Sequence, residues 1–425
     1  MNSTKTMLAL SGALILSGCN SINSASFREM SSAYREVAAA YANDNVLLNI
    51  VRASKRLPVT FLEIPSVMGT GSTTAGATLG ASITSRSPND LAGFFSATTG
   101  SYAGPSANLS VNDSFTFTQS SLDNSSFMSA FLADIKVDTV ASLSNNVVAP
   151  KTVLYSLVID SIEVRNQQNE VISLIENNPN LPNYADNFQK ALYTLVESGL
   201  STQQVMNKMV LSPPMEAQTV NSQFGALASA FAQPGFMIET IKKPGMRDMY
   251  QAVRVAPSVQ FCFNKQLTTQ VLGHIFSDSA YCANLGVEAN TAVAKQIKVP
   301  DALTENQGKV SLFIKLRSTR TVFDYLGRLV DLQNQNPPRL ITIKSPDQTS
   351  TTSSGQTSMV SYPIFVVEKN SSAKSISSVN LEGDTYSMPR DSQSYTRDVL
   401  VTLSQLLTLD KVPGSIPASP SVLVK

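Results

Sequence analysis

Val310-Ser311-Leu312-Phe313-Ile314-Lys315-Leu316 runs straight into Arg317-Ser318-Thr319-Arg320, and then into Val322, Tyr325, Leu326, Leu329 and Val330. The first seven residues, rich in branched and aromatic side chains, predict a strand. The apolar residues that follow recur at i, i+3, i+4, i+7 and i+8, which is one face of a helix. Ser318 or Thr319 stands where the helix needs a cap. Strand-then-helix units of this kind, separated by loops of unequal length, predict α+β layers rather than a regular parallel sheet.

Other segments agree with that class. Phe27, Met30, Tyr34, Val37 and Tyr41 predict an amphipathic helix, ended at Asn43-Asp44. A second short helix carries Val46, Leu47, Ile50 and Val51, and its basic end at Arg52, Lys55 and Arg56 suits a helix C-terminus. Thr60 to Ile64 reads as a strand. Phe127 to Asn145 reads as two short helices, and Val153 to Val164 as either helix or strand. Phe188, Leu192, Leu195 and Val196 share a helical face that Gly199 ends. Short strands are expected at Met209 to Leu211 and Phe236 to Ile241, with a Ser- and Ala-rich helix over 219–231 between them. Further strands are expected at Val253 to Phe263, Ile364 to Val367, Ser377 to Leu381 and Thr385 to Met388. A final helix presents Val399, Leu403, Leu406 and Leu407. The polar stretch 345–360 reads as a linker or loop, and 413–425 as a flexible tail.

The chain opens with Lys5, an apolar run from Met7 to Leu16, and Leu16-Ser17-Gly18-Cys19. This is a secretory signal, too short to span a bilayer, which takes about 20 apolar residues. Its last four residues resemble the lipobox of bacterial lipoproteins. That likeness implies cleavage between Gly18 and Cys19, with a diacylglycerol on the thiol and an acyl chain on the new amine. The lipid on Cys19 would be the only attached group; no cofactor is expected. Asn20 in place of Asp suits the outer membrane under the enterobacterial sorting rule. Residues 19–65 would then hold anchor, tether and N-terminal helices, and 123–344 the α+β body, with C-terminal strands and helix over 361–412.

Ser66 to Leu122 holds three charges, Arg86, Asp90 and Asp113, in 57 residues. Ala75, Ala77, Leu79, Ala81 and Ile83 alternate with small or polar residues, as do Leu109, Val111, Phe115 and Phe117, with Asp113 interrupting. Two strands follow from that period, joined by a turn-rich stretch that carries Phe94 and Phe95. Three readings stand: a hairpin packed on the chain's own core, a hairpin given to a shared barrel or ring, and a flexible loop. The second requires partners, because a single hairpin is marginal alone. Leu79, Ile83, Phe94, Phe95, Leu109, Val111, Phe115 and Phe117 are then the candidate oligomer or membrane contacts.

The run Leu47-Leu48-Asn49-Ile50-Val51-Arg52-Ala53, with Pro58 and Phe61-Leu62-Glu63-Ile64, resembles a family of uncharacterised proteobacterial outer-membrane lipoproteins. Arg317-Ser318, Tyr325-Leu326-Gly327, Gly383, Tyr386 and Pro389 extend the likeness over most of the mature chain. It implies an envelope lipoprotein and brings no activity or catalytic residue.

Removal of Lys5 with the leader brings the 32 basic residues level with the 31 acidic ones. That balance gives no steering toward nucleic acid or an anionic membrane surface. Charged residues make up 15% of the chain, below the usual quarter, as in envelope proteins and in surfaces buried in assemblies. Beyond Cys19 there are two cysteines, Cys262 and Cys282. In an oxidising compartment they are expected to form a disulfide, worth roughly 3 kcal/mol for a loop of about 20 residues; two unpaired thiols are the alternative.

His274 is the single histidine, which removes most metal and triad chemistry and reads as structural. Ser371 and Lys374 match S-x-x-K without its companion motifs. Asp160 with Glu163, and Glu382 with Asp384, are the carboxylate pairs within reach of one another. Arg317 and Arg320 bracket the strand-to-helix junction; anion binding at the helix start and ordinary salt bridges are the two readings, the second preferred. The expectation is a non-enzymatic outer-membrane lipoprotein with its body in the periplasm. Its role would be a structural or interaction component of an envelope assembly, through homo-oligomer or envelope-protein contacts. A periplasmic ligand-binding lipoprotein with a closed apolar pocket is the alternative, and a carboxylate- or Ser371-dependent enzyme the third reading.

Overall fold

The computed structural model describes residues 32, 35–76, 108–121, 125–146, 149–222, 225, 229, 233–242, 247–273, 275–276, 280–282, 309–351 and 357–411; over 63–76, 108–121, 146, 345–351 and 357–359 it describes the backbone alone. The fold class is α+β, with every described sheet antiparallel. The chain divides into two compact units, one of 1–45, 59–129 and 411–425, the other of 46–58 and 130–410.

A helix, α1, spans 35–54 without a break. Asn43-Asp44 does not end it, contrary to the sequence expectation. Mid-helix Asn and Asp cost only up to about 0.7 kcal/mol each, and Val46, Leu47, Ile50 and Val51 just beyond are buried. In the first unit, β1 (Leu62–Gly76) and β2 (Asn108–Ser121) form a two-stranded ladder, followed by α2 (Ser125–Leu132). The strand expected at Thr60 to Ile64 is the beginning of β1. Asn45 Nδ2 donates to the Leu62 carbonyl at 2.8 Å, and Phe61 meets Phe127 edge-on at 5.8 Å.

The second unit continues with α3 (Val137–Asn146), α4 (Lys151–Val158), β3 (Ile159–Arg165) and β4 (Val171–Glu176). The apolar run left open as helix or strand is therefore both, switching at Val158/Ile159. One π turn, Ala185–Gln189, leads into α5 (Lys190–Glu197). Gly199 ends that helix at φ 82°, and a Cβ there would lie 2.6 Å from the Asn264 Cβ.

Next come β5 (Leu200–Val210), β6 (Met215–Glu216), α6 (Ala217–Ser222), β7 (Phe236–Ile241), β8 (Met249–Phe263) and α7 (Lys265–Leu272). β8 pairs with β5, β6 and β7. The helix expected over 219–231 begins earlier, and its later part lies mostly outside the described residues. Asn264 caps α7, accepting from the amides of Gln266 and Leu267. Cys262 and Cys282 are bonded, with Cα atoms 5.0 Å apart.

The opening stretch behaves as read. β9 (Ser311–Leu316) runs into α8 (Thr319–Gln333), and Ser318 Oγ accepts from the Thr321 amide at 3.2 Å. β3 lies between β4 and β9. The polar stretch 345–360 is a hairpin rather than a linker, β10 (Thr342–Thr351) with β11 (Thr357–Pro363). Then follow β12 (Glu368–Lys369), β13 (Ser375–Leu381), β14 (Asp384–Pro389) and α9 (Thr396–Asp410). Ile364 to Val367 forms no strand of its own; Ile364, Phe365 and Val367 are buried coil. β13 and β14 join through Glu382 and Gly383, at φ 54° and 86°, the pattern of a tight primed turn.

α4, α8 and α9 pack on one another around Tyr155, Leu157, Phe323, Leu326, Val399 and Leu403, all buried. α1 crosses α8 at Gly327. A Cβ at that glycine would lie 2.7 Å from the Ser54 nitrogen and 2.8 Å from the Ala53 carbonyl carbon. The helices touch backbone to backbone.

Candidate functional site

The residues singled out at the β9–α8 junction do come together, with a use the sequence did not reveal. A helix leaves its last four carbonyls without intrahelical donors. In α4 these belong to Tyr155, Ser156, Leu157 and Val158, and each is answered. The Ile159 amide takes Tyr155, and the Arg317 amide takes Val158 at 2.8 Å. Arg317 Nη1 donates to Ser156 and Leu157, each at 3.0 Å, and Nη2 donates to the Asn177 carbonyl. Asn177 Nδ2 reaches the carbonyls of Ser156 and Ile159.

The guanidinium lies 4.2 Å from the ring centre of Tyr325, and Tyr184 donates to Asn177 Oδ1 at 2.7 Å while its hydroxyl meets that of Tyr325 at 3.1 Å. Arg317 is 3% exposed. Burial pulls its pKa down, offset by Tyr325, Tyr184 and Asp160. Burial likewise raises both phenols. A cation enclosed by carbonyls at a helix C-terminus is favourably placed against the helix dipole. It faces carbonyl oxygens, so the anion-site reading of Arg317 does not hold. Arg320 instead pairs with Asp324 one turn on, at 3.1 Å.

The paired carboxylates are apart in function. Asp160 meets Lys315 at 3.5 Å and Arg317 at 3.7 Å, while Glu163 accepts from Arg165. Asp384 is engaged by Lys369 at 2.8 Å and by Asn370, which together hold its carboxyl below the usual range. Ser371 Oγ accepts from the Ala373 amide in its own turn, and Lys374 is exposed. Among the described residues there is no cluster of three metal-ligating side chains, and no helix is long and apolar enough to cross a membrane. Gly18, Cys19, Leu79, Ile83, Phe94, Phe95 and His274 lie outside the described residues.

A cleft of about 290 Å³ lies between α4, α5 and the base of β10–β11, lined by Thr152, Asp186, Lys190, Tyr193, Lys344 and Ser361 among others. It is open and edged by charges, at the small end for ligand sites, and differs from the closed apolar pocket that the ligand-binding reading required. Apolar side chains stand out elsewhere. Met206 and Met209 on β5 are each 64% exposed, with Val210, Leu211 and Met237 of the same sheet also exposed. Met206, Val210 and Met237 share one face of the sheet and Met209 lies on the other; exposed apolar residues grouped on a face mark contact surfaces.

The β1–β2 ladder is the remaining feature. Its register sets Val67 opposite Phe117, Gly69 opposite Phe115, Thr73 opposite Val111 and Ala75 opposite Leu109. The intervening positions pair Thr70 with Ser114, Ser72 with Asn112 and Thr74 with Ser110. One parity is thus mostly apolar or small, with Thr73 and Asp113 on it, and the other mostly hydroxyl or amide, with Met68 opposite Thr116. Among the described residues no third strand pairs with either edge.

No family model, curated protein or solved structure matches this chain.

Tyr155 gives the body a measurable alkaline limit. Burial pushes its phenol up to about 12, against about 10 when unfolded. A raised pKa contributes stability that is intact below pH 10 and is lost as pH climbs from 10 to 12, about 2–3 kcal/mol in all. Tyr155→Phe is expected to flatten that fall in an alkaline unfolding series followed by circular dichroism. An unchanged pH midpoint would count against it.

Proposed function

We propose that this chain is an outer-membrane lipoprotein, anchored through Cys19 with its body in the periplasm, and a structural or interaction component of an envelope assembly. The observation that carries the assembly part is the β1–β2 ladder: long, poor in charge, and without a third strand among the described residues. Two strands alone are marginal in water, so such a ladder calls for a surface to complete it. Met206, Val210 and Met237, exposed on one face of the β5–β8–β7 sheet, add a second contact surface. The lipobox carries the anchor, since several acyl chains hold a protein where one does not. The buried polar network around Arg317 is taken up with fastening the fold, and the cleft favours no ligand-binding role.

Two measurements test this. Cys19→Ser is expected to lose palmitate labelling and to leave the outer-membrane fraction; retention there would remove the anchor. The wild-type protein, extracted in mild detergent with lipid and detergent mass subtracted, is expected to run as a discrete particle heavier than one chain. A clean monomer would overturn the assembly role.

A further inference from the structure

We propose that the partner completing the β1–β2 ladder is a second copy of this chain. In this arrangement β1 of one copy pairs with β2 of the next until a barrel closes, and the barrel is a pore whose inner face is the more polar parity of the ladder. The proposal rests on the assembly reading above and makes it specific.

Three observations carry it. The first is the edges. β1 has 15 residues and β2 has 14, and the outer edge of each is unpaired among the described residues. Unpaired backbone groups at a sheet edge are a template for another strand, and in a bilayer they must be paired. A copy of the same hairpin satisfies both edges at once, because an antiparallel pair set beside an identical pair continues the up–down order. That contact is head-to-tail, and such contacts make rings when the rotation closes.

The second is length. At about 3.4 Å per residue β1 extends roughly 50 Å, and a membrane-spanning strand needs about 9–11 residues.

The third is the two-sided register. Membrane barrels alternate apolar outward with polar inward. One parity here holds Val67, Phe117, Phe115, Val111 and Leu109, with Thr73 and Asp113 among them; the other holds Thr70, Ser114, Ser72, Asn112, Thr74 and Ser110, without charge and with Met68 as its one large apolar residue. Such an uncharged face passes small hydrated solutes with weak preference for either sign. Asp113, opposite Gly71, is a charge on the apolar parity between Val111 and Phe115, and an acidic residue there costs less than Arg or Lys would.

The test uses the full mature lipoprotein extracted as above, with subunit count from mass and composition, followed by insertion into a diphytanoyl-phosphatidylcholine bilayer in a KCl gradient. A particle of several identical copies that gives discrete conductance steps is expected. Ser114→Lys should keep the subunit count and shift the reversal potential toward that of chloride. Val111→Lys should lose the conductance steps while the far-UV melting curve of the body stays in place, which separates lost insertion from lost folding. A particle with one copy of this chain among other proteins would overturn the pore and leave the assembly role standing. A lone monomer would overturn both. A homo-oligomer with no conductance, or with conductance unchanged by both substitutions, would overturn the pore alone.

Discussion

Arg317→Ala is expected to destabilise the second unit by about 3–5 kcal/mol, the largest single-residue effect foreseen for this protein. The guanidinium donates to three carbonyls, those of Ser156, Leu157 and Asn177. An orphaned buried acceptor costs about 1–3 kcal/mol. The ring of Tyr325 loses the cation above it, and a cavity opens where the side chain was. Lysine should not restore stability, because one ammonium cannot reproduce the planar fork. Urea unfolding followed by circular dichroism measures the effect, and a loss below about 1 kcal/mol would contradict the carbonyl-capping role. Tyr184→Phe, which removes a single hydrogen-bonding group from the same network, should cost less.

Gly327→Val should cost about 3 kcal/mol, at the upper end of overpacking effects. A Cβ at that position meets the backbone of Ala53 and Ser54 at 2.8 and 2.7 Å, and backbone cannot swing aside as a side-chain tip can. Gly327→Ala sharpens the argument. In an exposed helix the change gains about 1 kcal/mol of helix propensity; here it should still lower the thermal midpoint, because α1 must move off α8. A rise in that midpoint would show that the crossing is looser than described.

These two residues mark what could and could not be read in advance. β9 and α8 were legible because the apolar period changes from two to 3.6 at Arg317, and Ser318 supplies a cap with a recognised signature. The role of Arg317 was not, since its acceptors are backbone carbonyls, which every residue has, placed 140 to 161 residues away in sequence. Nothing in residue type announces such a partner. Gly327 was part of a three-residue likeness, Tyr325-Leu326-Gly327, whose reason appears only once α1 is seen crossing it. The β10–β11 hairpin reads as a linker or loop because Ser, Thr and Gln on both parities give no hydrophobic alternation. At 66–122 the alternation over Leu109, Val111, Phe115 and Phe117 marks β2, whereas the run from Ala75 to Ile83 meets β1 only at its end and otherwise lies outside the described residues. The register then showed that Val67 and Ala75 fall on the same parity as Phe117 and Leu109.

The arrangement of β3 also sets a timetable. This strand lies between β4, its immediate successor, and β9, and the carbonyl of Leu157 waits for an arginine 160 residues further on. On the proposed export route the chain folds after translocation, so this interval of 160 residues is a loop to be closed rather than a delay in synthesis. Until it closes the β4–β3 pair has one open edge, and the end of α4 lacks its cap. Pairings this distant in sequence also slow the search for the native state once the chain is complete. The translocated chain is thus most vulnerable to wrong pairing at residues 151–165, and a holding chaperone would gain most by covering that segment until Arg317 is in place.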